Sequence, residues 1–341
     1  MLDRHEPAPT APPASPIAPA WPRIALRIVS PGAGRGRLQV LLFHRVHATA
    51  DPLFPGEMTA ARFRECLRWI ADWFNVLPLG EAIGALAAGT LPARALSVTF
   101  DDGYADNVDV ALPILREIGI PATFFVASGY LDGGRMWNDT VIEAVRRTRQ
   151  PSLSLAAAAL PDVATGTLDE RRGAIATLIA ALKHLPPKRR ESSAALVGEA
   201  AGVSLPDDLM MTTAQLRALA AAGMEIGGHT VSHPILALLD DTEAREEIAA
   251  GREALAAITR QPIRLFAYPN GKPHADYRSR DVDIVKSLGF DAAFSTAWGV
   301  ASSATSRYEL PRFTPWDRTA ARWAIRLARN HATRVEQVAP P

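Results

Sequence analysis

The sequence predicts an α/β fold in which parallel strands alternate with helices. Short apolar runs recur along the chain, amphipathic helical patterns separate them, and polar residues follow directly where several runs end. Strands and helices that alternate at this spacing form parallel βαβ units, which build either a barrel or an open sheet. The length of 341 residues is normal for one α/β barrel with insertions.

The first half of this alternation contains three predicted strands and two predicted helices. Residues 38–43, 95–100 and 122–127 are apolar runs of strand length. Apolar residues at helical spacing predict helices over 59–74 and 107–119, and the second of these ends at a glycine. Each predicted helix therefore lies between two predicted strands.

The second half continues the alternation. A capping box formed by Thr212 and Gln215 marks the start of its first helix. The predicted elements, in order, are helix 212–223, strand 224–230, helix 241–259, strand 264–269, helix 281–290 and strand 292–296. The pattern therefore extends from residue 38 to residue 296.

The predicted domain organisation is a barrel over residues 23–330 with a tail at each end. Seven prolines fall within residues 1–22, which we interpret as a disordered tail. Residues 331–341 form the predicted C-terminal tail. Residues 140–210 are rich in alanine, arginine and leucine, interrupt the alternation, and are interpreted as a helical insertion without candidate site residues.

Composition excludes several classes of function. The net charge is +1 and no basic run carries interleaved aromatic residues, so nucleic acid is not an expected partner. Cys66 is the only cysteine, which excludes an intrachain disulfide and a cysteine-based zinc site. No feature indicates an oligomeric state.

The N-terminal region suggests where the protein is located. Acidic residues stand where a secretion signal would be basic, and no apolar segment follows, so we expect a cytoplasmic protein that could work at the inner face of a membrane. Residues 21–37 mix apolar and basic side chains. They form either a short helix before the first strand or a segment that contacts a membrane surface.

Reactive side chains follow the predicted strands where each strand ends. In parallel α/β folds, catalysis and ligand binding occur at the carboxyl ends of the strands. The residues in these positions are His44, Asp101, Asp102, His229 and His233, and a Pro-Asn-Gly turn follows the strand at 264–269. These strand ends are therefore predicted to form one site.

The histidine pair indicates a metal centre. His229 and His233 are four residues apart, so on a helical turn both imidazoles would lie on one face. A carboxylate from another strand end would complete a three-ligand site with positions open to water and substrate. Such ligands suit zinc first, and also cobalt, nickel or iron. The alternative is a pair of polar loop residues that binds no metal.

Two adjacent aspartates can have two different chemical roles. One can bind the cation while the other accepts a proton from the attacking water. The alternative for Asp101, Asp102 and the following glycine is a turn or a helix N-cap. His44 similarly has two interpretations, a buried histidine bonded to the backbone or a general acid at the end of the first strand.

The motifs "TFDDGY" and "HTVSHP" together resemble those of the polysaccharide deacetylases, and the resemblance extends from about residue 38 to residue 315. It implies a distorted (β/α) barrel with fewer than eight strands, here with a helical insertion. It also implies a substrate that is an N-acetylated glycan and an activity that removes acetyl groups with the help of a divalent cation.

The resemblance also implies roles for individual residues. Asp101 corresponds to the catalytic base, and Asp102 to a metal ligand. His229 and His233 correspond to the two metal-binding histidines. The stretch "FAYPNG" matches the third motif of the family, which gives the backbone amide of Asn270 the role of stabilising the oxyanion.

Two departures from the family pattern are informative. Ala267 stands where the third motif carries an arginine that braces the catalytic aspartate, and His331 has the wrong spacing for the late motif that supplies the general acid. A branch of the family that acts on poly-N-acetylglucosamine uses a histidine after the first strand, which gives His44 the role of acid. Arg312 either pairs with Asp101 in place of the missing arginine or lies at the surface.

These inferences predict a metal-dependent N-deacetylase of an amino-sugar polymer, oligomer or lipid-linked glycan. An amidase or O-acetyl esterase could use the same site, because each reaction passes through a tetrahedral oxyanion. A catalytically dead carbohydrate-binding barrel is the third alternative. Ala267 favours it, and the retention of both aspartates and both histidines argues against it.

Overall fold

A curled sheet of parallel strands carries the predicted alternation in the computed structural model, which describes residues 21–338. The strands are β1 (Leu38–Phe43), β2 (Asn75–Val76), β3 (Ala95–Phe100), β4 (Ala122–Val126), β5 (Ser152–Leu153), β6 (Val163–Ala164), β7 (Glu225–Gly228), β8 (Leu265–Ala267) and β9 (Ala292–Phe294). The main sheet has the order β1-β3-β4-β7-β8-β9, and β2 pairs with the start of β3.

Helices cover the outside of this sheet. Within the described range they are α1 (Trp21–Val29), α2 (Ala60–Trp73), α3 (Leu79–Ala87), α4 (Leu112–Ile118), α5 (Trp137–Arg147), α6 (Leu168–Leu182), α7 (Pro187–Ala201), α8 (Thr213–Ala221), α9 (Asp241–Thr259), α10 (Ser279–Ser287) and α11 (Ala320–Asn330). The predicted helices and strands are present, although the strands after residue 264 are shorter than predicted.

A segment without regular structure joins the two end strands of the sheet. The amide of Phe313 donates a hydrogen bond to the carbonyl of Val40 in β1 (3.0 Å), and the amide of Leu310 donates to Ala293 in β9 (2.9 Å). Residues 310–313 therefore lie between β9 and β1 and complete the curl. The result is the distorted barrel with fewer than eight strands that the sequence predicted.

Local chemistry explains why the elements begin and end where they do. Every residue of β1 and β3 is buried, as expected for parallel strands covered on both faces. Thr59 and Thr212 cap α2 and α8 through their side chains. Gly119 ends α4 in the left-handed conformation (φ 79°), which glycine adopts without steric cost. These caps fix the ends of the helices, and the parallel pairing of the strands brings their carboxyl ends to one side of the barrel.

The elements from α5 to α7 form a unit beside that side of the barrel. Its three helices and the small β5–β6 sheet surround an apolar cluster of their own, which includes Val141, Leu178 and Val197. The strongest helix contact in this unit is between α5 and α7. The unit therefore presents a firmly packed helical wall to the carboxyl ends of the strands.

Both ends of the described range are more ordered than predicted. Trp21 and Pro22, assigned to the tail at residues 1–22, belong to α1, while residues 1–20 lie outside the described range. The interpretation of residues 21–37 as containing a short helix is confirmed. In the predicted tail at 331–341, the amide of Val338 bonds to Glu309 (2.7 Å), because the chain folds back onto the barrel.

No helix between residues 21 and 338 is long and apolar enough to cross a membrane. The cytoplasmic location, which was inferred mainly from residues 1–20, stays a prediction.

Candidate active site

The strand ends meet at a cavity of about 240 Å³ on the carboxyl side of the barrel. Residues that directly follow strands line it: His44 after β1, Asp101 and Asp102 after β3, His229 and His233 after β7, Asn270 after β8 and Thr296 after β9. All six residues that the sequence placed in the site are therefore brought together.

Asp101 is held by a buried arginine. Nη1 and Nη2 of Arg312 donate to Oδ1 and Oδ2 of Asp101 at 2.5 and 2.7 Å, a bidentate pair. Arg312 Nε donates to the carbonyl of Ser295 (3.2 Å), and its guanidinium lies 5.2 Å from the ring centre of Phe125. Both members of the pair are almost fully buried. The predicted pairing of Arg312 with Asp101 is confirmed.

Asp102 faces the two histidines. Its Oδ1 lies 3.5 Å from Nε2 of His229 and 3.3 Å from Nε2 of His233. One donor atom from each of these three residues lies within 4.8 Å of the others, so they could hold a metal ion together. The two adjacent carboxylates thus point at different partners, one at an arginine and the other at the histidines.

The donor set fits a transition metal. Nδ1 of His229 lies 2.7 Å from the carbonyl oxygen of Ala267, which requires the proton on that nitrogen and leaves the Nε2 lone pair directed at Asp102. Orienting hydrogen bonds of this kind are typical of metal-binding histidines. Two imidazoles and one carboxylate suit zinc and other divalent transition metals.

The histidines lie on an irregular turn and not on the helical turn that their spacing suggested. Glu247 of α9 accepts hydrogen bonds from the amides of Val231 and Ser232, both at 2.9 Å, and Thr230 Oγ1 accepts one from the amide of His233 at 3.1 Å. The carboxylate and the hydroxyl satisfy amides that a helix would have bonded to its own carbonyls, so the turn is stable without helical structure.

Unusual backbone angles position two candidate ligands. Asp102 has φ 76° and His233 has φ 53°, in the left-handed region that non-glycine residues rarely adopt. Holding a non-glycine residue in this region destabilises the folded protein by about 1 kcal/mol or more. Tertiary contacts therefore hold both side chains at the site against the local preference of the chain.

Burial and neighbouring charges change the pKa values of three residues at the site. Burial alone would raise the pKa of Asp102, but His229, His233 and His44 hold it well below the usual range of a carboxyl. Burial lowers the pKa of His233 to about 4, although Asp102 acts against this change. For His229, the nearby carboxylates outweigh burial and raise the pKa. A neutral His233 beside an ionised Asp102 is suited to binding a cation.

His44 and Asn270 line the same cavity. The His44 side chain is exposed toward it, which excludes the interpretation of a buried structural histidine. Asn270 has φ 57°, and no residue in the range 21–338 accepts a hydrogen bond from its main-chain N–H. Both groups are thus available to a substrate in this cavity.

Sequence analysis missed several cavity residues on the helical unit, three of which are aromatic or charged. Trp137 at the start of α5, Lys183 after α6 and Arg190 on α7 all line the cavity. The insertion at 140–210 was assigned no site residue, and this assignment was wrong because Lys183 and Arg190 line the cavity. The sequence does contain a signal that Arg190 is unusual. The other buried residues of α7 are small or apolar, so a charged residue on this face is unexpected.

Comparisons with known proteins agree with this site. The profile of the family described as polysaccharide deacetylase matches residues 88–156 and 187–293, which include both aspartates and both histidines. The gap in the match covers α6 and the segments on either side of it.

Solved structures share the fold. PplD, a Streptococcus pyogenes deacetylase solved with acetate, is 20% identical at a TM-score of 0.54, and the match covers 82% of this chain and 93% of PplD. IcaB from Ammonifex degensii is 20% identical at a TM-score of 0.55, covering 88% of this chain and 98% of IcaB. A de-N-acetylase from Aggregatibacter actinomycetemcomitans is 18% identical at a TM-score of 0.55, covering 86% and 99%.

Proposed function

Because the chain belongs to the polysaccharide deacetylase family, we propose that it removes N-acetyl groups from an amino-sugar glycan, using a divalent cation held by Asp102, His229 and His233. The observation that supports this most is the different environment of the two adjacent carboxylates. Asp101 is bound by Arg312, whereas Asp102 faces the histidines. One carboxylate is thereby available as base and the other as ligand.

The residues of the chain would divide the reaction as follows. Asp101, oriented by Arg312, accepts the proton of the attacking water. The N–H of Asn270 donates a hydrogen bond to the developing oxyanion. His44 protonates the departing amine. A cation bound at the site would polarise the acetyl carbonyl and stabilise the negative charge that develops on it.

The proposal also specifies which cation is bound and which acyl bond is cleaved. Two histidines and a carboxylate favour zinc, with cobalt, nickel or iron as substitutes. The name of the de-N-acetylase with the same fold favours an N-acetyl over an O-acetyl substrate. The pairing of Asp101 with Arg312 argues against a dead carbohydrate-binding barrel, because a buried ion pair is a weak source of stability.

Acetate release from a panel of N-acetylated glycans tests the proposal. Asp102→Ala removes a ligand, and we expect activity to fall by about a thousandfold or more, with the same loss in chelated wild-type protein. Zinc added back should restore the chelated wild type and not the variant. Asp283→Ala, an exposed carboxylate on α10, is the matched control and should be fully active.

Three results would contradict the proposal. Full activity of Asp102→Ala or of the chelated protein would exclude the metal site as the catalytic centre. Acetylated xylan and simple amides belong in the same panel, because a preference for either would indicate an esterase or an amidase. Metal binding without turnover of any substrate would indicate a binding protein.

A further inference from the structure

Arg190 is a buried cation without a hydrogen-bond or ion-pair partner for its side chain among residues 21–338. Its side chain is 2% exposed, and Nε is fully buried without a hydrogen-bond partner. No residue of the described range forms an ion pair or a side-chain hydrogen bond with its guanidinium. The guanidinium lies over the ring of Trp137, whose centre is 5.1 Å away. Leaving a buried charge unpaired normally costs several kcal/mol.

The position of Arg190 on α7 directs it at the catalytic cavity. The inward face of α7 continues with Ala194 and Val197, which belong to the apolar cluster inside the helical unit. Arg190 lies one turn earlier, where this face leaves the cluster and meets the cavity that Asp102 and the histidines also line. The guanidinium therefore faces the space that a substrate would occupy.

The carboxylates that line the cavity do not neutralise the charge of Arg190. Asp101 is bound to Arg312, and Asp102 faces the two histidines. Lys183, half-buried at the end of α6, adds a second cation to the wall and also has no ion-pair partner in the described range. The charge of the Glu191 carboxylate acts to raise the pKa of Arg190, against the effect of burial. No ion pair joins the two side chains. The cavity thus has two unpaired cations and no free carboxylate for them.

We propose that Arg190 and Lys183 bind a phosphate or carboxylate group of the glycan, so that the substrate is an anionic acetamido sugar. A guanidinium with free N–H groups matches the planar carboxylate and the phosphate, and a lysine adds a point charge. Trp137 offers its aromatic surface beside the guanidinium. The proposal rests on the proposed deacetylase function, since it assigns the substrate class of the same site.

Binding of small acetamido sugars tests it without requiring turnover. The probes are N-acetylglucosamine 1-phosphate, N-acetylmuramic acid and neutral N-acetylglucosamine, titrated by calorimetry into wild-type protein with zinc added. We expect at least one anionic sugar to bind about tenfold or more tighter than the neutral one. The phosphate and carboxylate probes show which of the two anions the wall prefers.

Matched variants separate recognition from folding. Arg190→Gln and Lys183→Gln should each remove most of the preference for the anionic sugar and leave the affinity for neutral N-acetylglucosamine unchanged. Arg189→Gln changes the neighbouring, exposed arginine of the same helix and should keep the wild-type preference. Melting temperatures close to that of wild type would establish that Arg190→Gln still folds, and Lys183→Gln provides an independent test if it does not.

The outcomes distinguish this proposal from the one it rests on. Equal affinity for charged and neutral sugars, no binding of either anionic sugar, or a preference that survives both variants would overturn the anionic-substrate proposal even if acetate is released from neutral glycans. Absence of acetate release from every glycan would overturn the deacetylase function and would leave the measured binding preference standing.

Discussion

Two buried arginines near the site differ in their surroundings: Arg190 lines the cavity, whereas Arg312 binds the cavity residue Asp101. Arg312 comes from the segment that closes the barrel, and its three nitrogen groups all have acceptors, two of them on Asp101. Arg190 comes from the helical unit and has no acceptor within residues 21–338. Each packs near an aromatic ring, at 5.2 Å for Arg312 and 5.1 Å for Arg190.

The difference between the two arginines indicates different roles for the barrel and for the helical unit. On the barrel side the polar groups are oriented by other groups of the same chain, which is the property that a catalytic constellation needs. On the helical side the charge is left without a counter-ion, which is the property expected of a group that recognises a ligand. We infer that the barrel supplies the chemistry and the helical unit supplies the selectivity.

Removal of Arg312 should have the largest effect. In Arg312→Ala, Asp101 becomes a buried carboxylate without a partner, so we expect kcat to fall by about a thousandfold for charged and neutral glycans alike. The free energy of unfolding should fall by about 3 kcal/mol. Steady-state kinetics and urea unfolding measure the two effects. Loss restricted to anionic substrates would contradict the separation of roles.

A second pair of variants sharpens this test. Arg312→Lys keeps the charge but loses the bidentate geometry, so its activity should lie between that of wild type and that of Arg312→Ala. In the double variant Ala267→Arg with Arg312→Ala, the arginine returns to the strand position where the family pattern places it. Partial recovery of kcat over Arg312→Ala would show that bracing of Asp101 is the function of Arg312.

We expect a smaller loss of activity for His44→Gln than for Arg312→Ala. His44 has no side-chain hydrogen bond within the described range, like Arg190, but it belongs to the barrel and is proposed as the acid. We expect kcat to fall by about a hundredfold while KM changes little. A change in KM alone would place His44 with the recognition residues.

The smallest effect concerns an unpartnered group that is not at the cavity. Among residues 21–338, no group forms a hydrogen bond with either ring nitrogen of His331, and burial, together with Arg37, lowers its pKa to about 4. The unfolded chain takes up this proton near pH 6.5 and the folded chain only near pH 4, so stability falls as the pH drops between these values. At pH 4.5 the loss should be about 2 kcal/mol.

His331→Gln is the comparison that isolates this contribution. Urea unfolding of the variant should show a smaller decrease in stability between pH 7 and pH 4.5, with activity at pH 7 unchanged. An identical decrease in the wild type and the variant would contradict the assignment. The result would also establish that a missing partner indicates ligand recognition only where the group faces a cavity.

Much of the fold follows from local patterns in the sequence. The strands at 38–43 and 95–100 were predicted with correct ends, because both are apolar runs followed by polar residues. The capping box at Thr212 marked the start of α8 correctly. In contrast, β2 and α3 were missed, because β2 has two residues and α3 contains two glycines, which weaken the helical pattern.

The candidate site was predictable only in part. The residues after the strands were found because parallel strands bring their carboxyl ends together. The backbone angles of Asp102 and His233, and the brace by Glu247, were not predictable, since they depend on contacts with other elements. The helical spacing of the histidines was even misleading about the turn on which they lie.

The sequence alone determines the chemistry that this protein can carry: two adjacent carboxylates after one strand, two histidines after another, and the family motifs that they form. Only the tertiary structure decides which groups complete the site. Arg312 is 211 residues from Asp101 in the chain and meets it because residues 310–313 close the barrel. Arg190 faces the cavity because α7 packs against α5 beside the strand ends. Contacts between residues so far apart depend on packing and not on any local pattern, so only the tertiary structure decides between the alternatives that the sequence leaves open.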